Sequence, residues 1–400
     1  MEKYKKILRV VKEGNPFLKI IQLGFTPDEV KKAIVELFEP YFDNKDILKK
    51  LAISALVTDS IHLLNLKKRS KLFFRMFEKC LFTYHLAKSK DPQASFKYCA
   101  LWQPEVDRSL SEFWSVLHLE YNKNSLEIEE FLHECLSNIG ENIEGLMKPF
   151  LKILLCQIRI IEGTTLSLKE INSLDLGKII EELIQKTKYA KLFAPPPQNI
   201  RLNQWRNIAY HHQAKIENNK IILWYGKAPQ MRYIKLLRNE LLQAVNTICN
   251  VHSALKLAYT LFFVDNVEKI KKYPFSVKAR EEATFLTFVT GLASQGFEVV
   301  DYKKNSSKAK IVVKDVSNLD PNKRRIHSTQ FLFPLWEITQ SKKIIVEYRE
   351  KNGNPNFMAS TNSVDCQKIY DGKLSPLSLA EICELIDLKT NKIIPKTKGD

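Results

Sequence analysis

The chain lacks the arrangements on which most metal, redox and nucleotide sites depend. No C-x-x-C pair occurs among its seven cysteines, Cys80, Cys99, Cys135, Cys156, Cys249, Cys366 and Cys383, which are odd in number and widely spaced. That pattern excludes a zinc ribbon and a disulfide framework, and predicts a reducing, cytoplasmic setting. There is no G-x-x-x-x-G-K-[ST], no G-x-G-x-x-G and no G-x-S-x-G, so a P-loop, a dinucleotide fold and a hydrolase nucleophile elbow are excluded, and neither cofactor nor metal is expected. Long apolar runs are missing as well. The most apolar stretch, "LMKPFLKILLCQIRII" (Leu146 to Ile161), carries Lys148, Lys152 and Arg159 and is too short and too charged to span a bilayer, so no membrane partner is expected. The N-terminal "MEKYKKILRVVKEGN" interrupts every apolar run with charge, which is not the pattern of a secretory signal. No internal period repeats, which excludes a solenoid.

What is present is a folding chain with an excess of positive charge. At 400 residues and 44% hydrophobic content it can bury two or three cores. Lys+Arg exceed Asp+Glu by 62 to 45, a formal charge of +17, which favours a polyanionic partner such as nucleic acid. Helical spacing dominates from Thr26 to Gly163. In "TPDEVKKAIVELFEPYF" Thr26 is a cap and Pro27 the first helical residue; "LKKLAISALVTDSIHLLNL", "SKLFFRMFEKCLFTYHLA" and "SLSEFWSVLHLEY" read as further helices. The histidines in this part, His62, His85, His118 and His133, stand singly without metal-ligand spacing.

Pro195 to Pro197 stop any helix, and Asn199 offers a cap for the next one, "IRLNQWRNIAYHH", with Leu202, Trp205 and Ala209 on its apolar side. "KIENNKIILWYG" reads as a hairpin about Asn218 and Asn219, and a long helix is expected from about Met231 to Phe263, with Leu237, Leu241, Val245, Ile248 and Leu255 in its buried stripe. On that helix Arg232, Lys235 and Arg238 would recur every third residue. With Trp224, whose ring can stack on unpaired bases, they are the candidate RNA-binding set. Beyond "KKYPFS" the pattern turns to strands, "FEVVDY", "AKIVVKDV", "KKIIVEYRE" and "NFMAS", with basic loops "KKNSSKAK" and "NKRRIH" between them. The expected fold is therefore mainly α, with a smaller α+β C-terminal domain.

The chemistry concentrates in Arg206, Asn207, Tyr210, His211 and His212. Metal-free RNA cleavage needs a base for the 2′-hydroxyl proton, an acid for the leaving 5′-oxygen and a cation on the phosphorane; histidine and arginine suit these tasks. On one helix, residues five apart point about 140° away from each other, so Arg206 and His211 do not converge, whereas Asn207 and His211 share a face. Two copies packed about a dyad would bring both kinds of group to one cleft.

Arg206-Asn207-Ile208-Ala209-Tyr210-His211 resembles the R-[polar]-x-x-x-H motif of the HEPN superfamily, helical bundles that are often metal-independent ribonucleases in toxins and phage-defence systems. The resemblance covers roughly Phe131 to Asp265. With the pattern on either side, the chain is expected to divide into a helical N-terminal domain over residues 1–130, a HEPN-like bundle over 131–265 and an α+β domain over 274–400 with a sensor or RNA-docking role. The resemblance implies a homodimeric endoribonuclease with Arg206 and His211 catalytic, Asn207 orienting the histidine, His212 and Tyr210 accessory, and a regulatory or antitoxin partner. The alternative is a non-catalytic scaffold that binds nucleic acid or protein. A second, fainter resemblance joins the C-terminal strands to restriction-type nucleases, but Lys310 stands near the place of the expected acid and Arg349 replaces the lysine of E-x-K after Glu347, an alteration that leaves that site inactive.

Overall fold

The computed structural model describes residues 2–116, 126–165, 167–187, 189–275 and 280–394; His118 and the last part of "SLSEFWSVLHLEY" lie outside them. In chain order, the elements that matter are α1 (Glu2–Gly14), α2 (Pro27–Phe38), α3 (Lys71–Lys90), α4 (Pro92–Val116), α5 (Ile128–Gly140), a π-helix (Glu141–Met147), α6 (Lys148–Ile161), α7 (Leu176–Thr187) and α8 (Leu202–Tyr210). Strands β1 (Ala214–Glu217), β2 (Lys220–Tyr225) and β3 (Arg232–Leu236) follow, then α9 (Arg238–Asp265), α10 (Glu281–Ser294), β4 (Phe297–Lys304) and β5 (Lys308–Asp315). The chain continues through α11 (Pro321–Ser328), α12 (Leu332–Thr339), β6 (Lys343–Arg349), β7 (Pro355–Asn362), α13 (Ser363–Tyr370), β8 (Glu384–Asp387) and β9 (Lys392–Ile393). The fold is mainly α with a smaller sheet-containing C-terminal region.

The chain divides into two compact units, but not at residue 130. One unit holds Met1–Pro40, Leu48–Thr58 and Arg280–Asp400; the other holds Tyr41–Ile47 and Asp59–Ala279. The N-terminal helices thus group with the C-terminal strands. The reason is local and chemical: α1 buries Ile7 and Val11, and its Tyr4 ring packs edge-on to Phe285 of α10 at 5.1 Å and to Tyr302 of β4 at 4.8 Å, an arrangement that favours aromatic pairs. Tyr4 also donates to Glu281 at 2.6 Å, and Lys12 pairs with Glu298 at 2.7 Å. At α2 the expected cap is present in full: Thr26 accepts from Glu29 N, and Glu29 reaches back to Thr26 N.

In this unit a six-stranded sheet runs in the order β4-β5-β6-β7-β8-β9. Only β5 and β6 are parallel, and the crossover between them is made by α11 and α12, as a parallel pair requires. The basic stretch "NKRRIH" is therefore a helix, not a loop.

The other unit is the helical body. Helix α9 packs against α3, and α6 against α3, α4 and α7. The α9 helix is the one helix among the described residues long and apolar enough to cross a membrane, with a hydropathy of 1.2, and 67% of that window is buried inside the protein. The expected helix over Met231 to Phe263 begins later than its sequence suggested. Arg232 to Leu236 instead pairs with β2, because the β-prone Tyr233 and Ile234 complete a sheet whose edge is open. The helix starts only after Leu237, whose N–H is taken by the Glu240 carboxylate at 2.7 Å. Leu237 is consequently exposed, whereas Leu241, Val245, Ile248 and Leu255 are buried.

Candidate functional site

Helix α8 carries the motif, and its position follows from its apolar face. Leu202, Trp205, Ile208 and Ala209 are buried, Trp205 to 1% exposure. The cap is Arg201 rather than Asn199, which sits in the left-handed region at φ 53 and donates to the Pro197 carbonyl. The helix ends at Tyr210. His211 N still donates to Asn207 O at 2.9 Å, so its Cα stays in helical register, and the chain turns at His212 with φ 47.

Facing α8 are α5 and the π-helix that continues it. A Cβ at Gly140 would meet the Tyr210 ring at 3.3 Å and the Ala209 methyl at 3.4 Å, so the absence of a side chain there lets the motif helix come close. The π-helix, a form found often at functional sites, places Glu144 against the motif. Arg206 Nε lies 3.2 Å from Glu144 Oε2, the two side chains being 28% and 29% exposed. This is an ion contact rather than a directed hydrogen bond, since neither atom has a hydrogen-bond partner. Glu144 also pairs with Lys148, and Arg206 Nη1 donates to Asn207 Oδ1 at 3.2 Å. Asn207 thus steadies the arginine.

His211, His212 and Tyr210 are exposed. The His212 ring stands 6.4 Å from that of His133 on α5, so His133 is a neighbour of the motif and not an isolated residue. Beside Glu144 and Tyr210 opens a depression of about 440 Å³, which also takes in Trp102, Arg108, Lys148 and Lys152. Lys152 lies over the Trp102 ring at 4.8 Å and donates to Asn172 at 3.3 Å; burial pushes its ammonium below the ordinary value.

The expected RNA-binding set divides three ways. Arg238 is committed to the fold: its guanidinium stacks 4.3 Å over Phe131 and donates to the Leu126 carbonyl at 2.9 Å. Arg232 and Lys235, three apart on a strand, point to opposite faces of β3. Trp224 is half-buried on β2, opposite Tyr233. The hairpin itself is as expected, with Asn218 and Asn219 at φ 51 and 59, the conformation a two-residue turn demands.

In the other unit, the residues that resembled a restriction-type site form an ion cluster. Glu347 is gripped by Lys310 at 2.6 Å and Arg349 at 2.8 Å. Burial would raise its carboxyl, but the bonds from those two cations outweigh burial and hold it below the ordinary range. Nearby, buried Arg324 pairs with Asp315 at 3.0 Å and stacks 3.7 Å over Phe297. Among the described residues no group of three or more His, Cys, Asp or Glu side chains is placed to hold a metal ion.

No family model, no curated protein and no solved structure matches this chain. Glu144 could not be foreseen as the partner of Arg206, because the pairing joins residues 62 positions apart through a π-helix that periodicity does not announce.

Proposed function

We propose that the helical unit is a metal-independent endoribonuclease of the HEPN type, active as a homodimer. The observation that carries this reading is the division of labour on α8: a half-buried guanidinium braced by Glu144 and Asn207 on one side, and an exposed imidazole at the helix end on another. Within one chain these groups diverge by about 140°. In a pair of chains, His211 of one copy takes the 2′-hydroxyl proton while the 2′-oxygen attacks phosphorus, the P–O5′ bond breaks, and the second histidine protonates the departing 5′-oxygen. Arg206 neutralises the charge that gathers on the phosphorane oxygens. His212 and Tyr210 are accessory, and a regulatory or antitoxin protein fits the same reading.

The test is cleavage of RNA in EDTA by wild type, Arg206→Ala and His211→Ala, followed by mixing the two variants under conditions of subunit exchange. Loss in each variant, with activity in the mixture above that of either variant but below wild type because the heterodimer keeps a single His211, supports a composite site; full activity in a protein shown to be monomeric refutes it. One observation favours a second reading, a non-catalytic scaffold: the charge of Arg206 is already matched by Glu144. Intact RNA under all conditions would support that alternative.

A further inference from the structure

The sheet β1-β2-β3 has two faces of different character. Ile221, Leu223 and Leu236 are buried on one. Because side chains alternate along a strand, the other face is set by register and reads in rows: Trp224 beside Tyr233, then Lys215, Ile222 and Lys235, then Glu217 beside Lys220. Tyr233 is 65% exposed, a high value for an aromatic ring. Ile222 is buried in spite of its outer position, as expected if the stems of the flanking lysines lie over it. The single carboxylate of this face, Glu217, is paired with Lys215 at 2.5 Å. No carboxylate among the described residues lies within ion-pair distance of Lys220 or Lys235, although Lys235 also acts on Glu217 across the face.

This face begins beside the motif. Trp224 N donates to Gln213 O at 3.1 Å, one residue from His212, and Gly226 N donates to Gln204 of α8 at 3.3 Å. The aromatic row is therefore the one nearest the histidines, and the lysine rows lead away from it in steps of about 6.6 Å.

We infer that the outer face of this sheet is a platform for unpaired RNA, with Tyr233 and Trp224 stacking on bases and Lys235 and Lys220 taking the phosphates that follow. Flat rings offered to solvent recognise bases only where those bases are unpaired, and the cations complement a single polyanionic strand. This rests on the ribonuclease reading for the identity of the ligand and adds a preference to it: single strands over duplex.

The test uses the full chain and a 2′-O-methyl RNA of about 12 nucleotides, a length suited to single-strand sites, either alone or annealed to its complement. The methyl group blocks the internal nucleophile, so binding is read without cleavage. Tyr233→Ala is expected to weaken single-strand binding about 5- to 150-fold, the range for loss of one stacked base, while Tyr233→Phe keeps the ring and matches wild type. Duplex binding stays unchanged. Lys220→Ala with Lys235→Ala lowers the salt slope by about 1.4, two phosphate contacts on a single strand.

A Tyr233→Ala protein that binds the strand as wild type does, or loses strand and duplex equally, overturns the platform. So does a variant that loses affinity for anionic lipid vesicles and not for RNA. The two readings fail separately. Wild type that cleaves RNA while Tyr233→Ala binds normally sinks only the platform; wild type that never cleaves while Tyr233→Ala loses the strand sinks only the nuclease.

Discussion

Glu144→Gln separates the architecture of the site from its chemistry. The carboxylate touches Arg206 at 3.2 Å and also pairs with Lys148, and all three side chains are about 30% exposed. At an effective dielectric of about 20, unit charges 4 Å apart attract by about 4 kcal/mol. Side-chain ordering and solvation offset most of that, and measured exposed pairs retain about 0.2–1 kcal/mol each. Two such pairs give a loss of about 0.5–2 kcal/mol, and hence a fall in Tm of about 1–8 °C at the scale of roughly 2–4 °C per kcal/mol for a unit this size. The deficit should shrink in 1 M salt, where the Debye length is about 3 Å.

On the proposed chemistry the same change has two opposed effects. Removing a negative charge beside the phosphate site tightens binding of 2′-O-methyl RNA at low salt. Releasing the guanidinium from its brace lowers cleavage by about 10- to 100-fold, the cost of imprecise placement. Melting in low and high salt, anisotropy and a cleavage time course measure the three. Tighter binding with unchanged cleavage would refute Arg206 as the phosphate cation, and a stability loss well above 2 kcal/mol would refute the surface-pair account.

Arg238→Ala should cost about 1–3 kcal/mol in urea unfolding, by loss of the Phe131 stack and of the bond to the Leu126 carbonyl, and should leave the salt slope of RNA binding unchanged; a slope lowered by this variant would return Arg238 to the RNA-binding set. Arg324→Met strands the buried Asp315 carboxylate and should destabilise the sheet-containing unit by about 3–5 kcal/mol, with less than 1 kcal/mol contradicting its place in the core. His252 is buried and His62 partly buried, and removal from water depresses them from 6.5 to about 3 and about 4. Because the unfolded chain takes up these protons first, their contribution is complete above pH 6.5 and is lost as pH falls toward 4, by about 2 kcal/mol each at pH 5. Denaturation from pH 7.5 to 5 of wild type against His252→Asn checks this, and parallel profiles would refute it.

Much of the local structure in both units was legible from its periods. The apolar face of α8, the entry after three prolines, the Asn-Asn hairpin and the Thr26 capping box are each set by residues within a turn of one another, so a local pattern is enough to predict them. The start of α9 was not legible. The β-prone Tyr233 and Ile234 of "RYIKL" sit among charges at helical spacing, and the open edge of β2 decided between the two readings. Likewise the basic residues were visible as charge, but not their commitments: Arg238 to Phe131 and Arg324 to Asp315.

By itself the sequence determined the class of fold, the motif helix and the divergence of Arg206 from His211, because composition, capping and a period of 3.6 act over neighbouring residues. Only the tertiary structure decided that the first helices group with the last strands, that Glu144 braces Arg206, and that Tyr233 shares an open face with Lys235. These depend on pairings between distant segments, and such pairings are selected by the fit of whole surfaces, which a linear pattern does not encode.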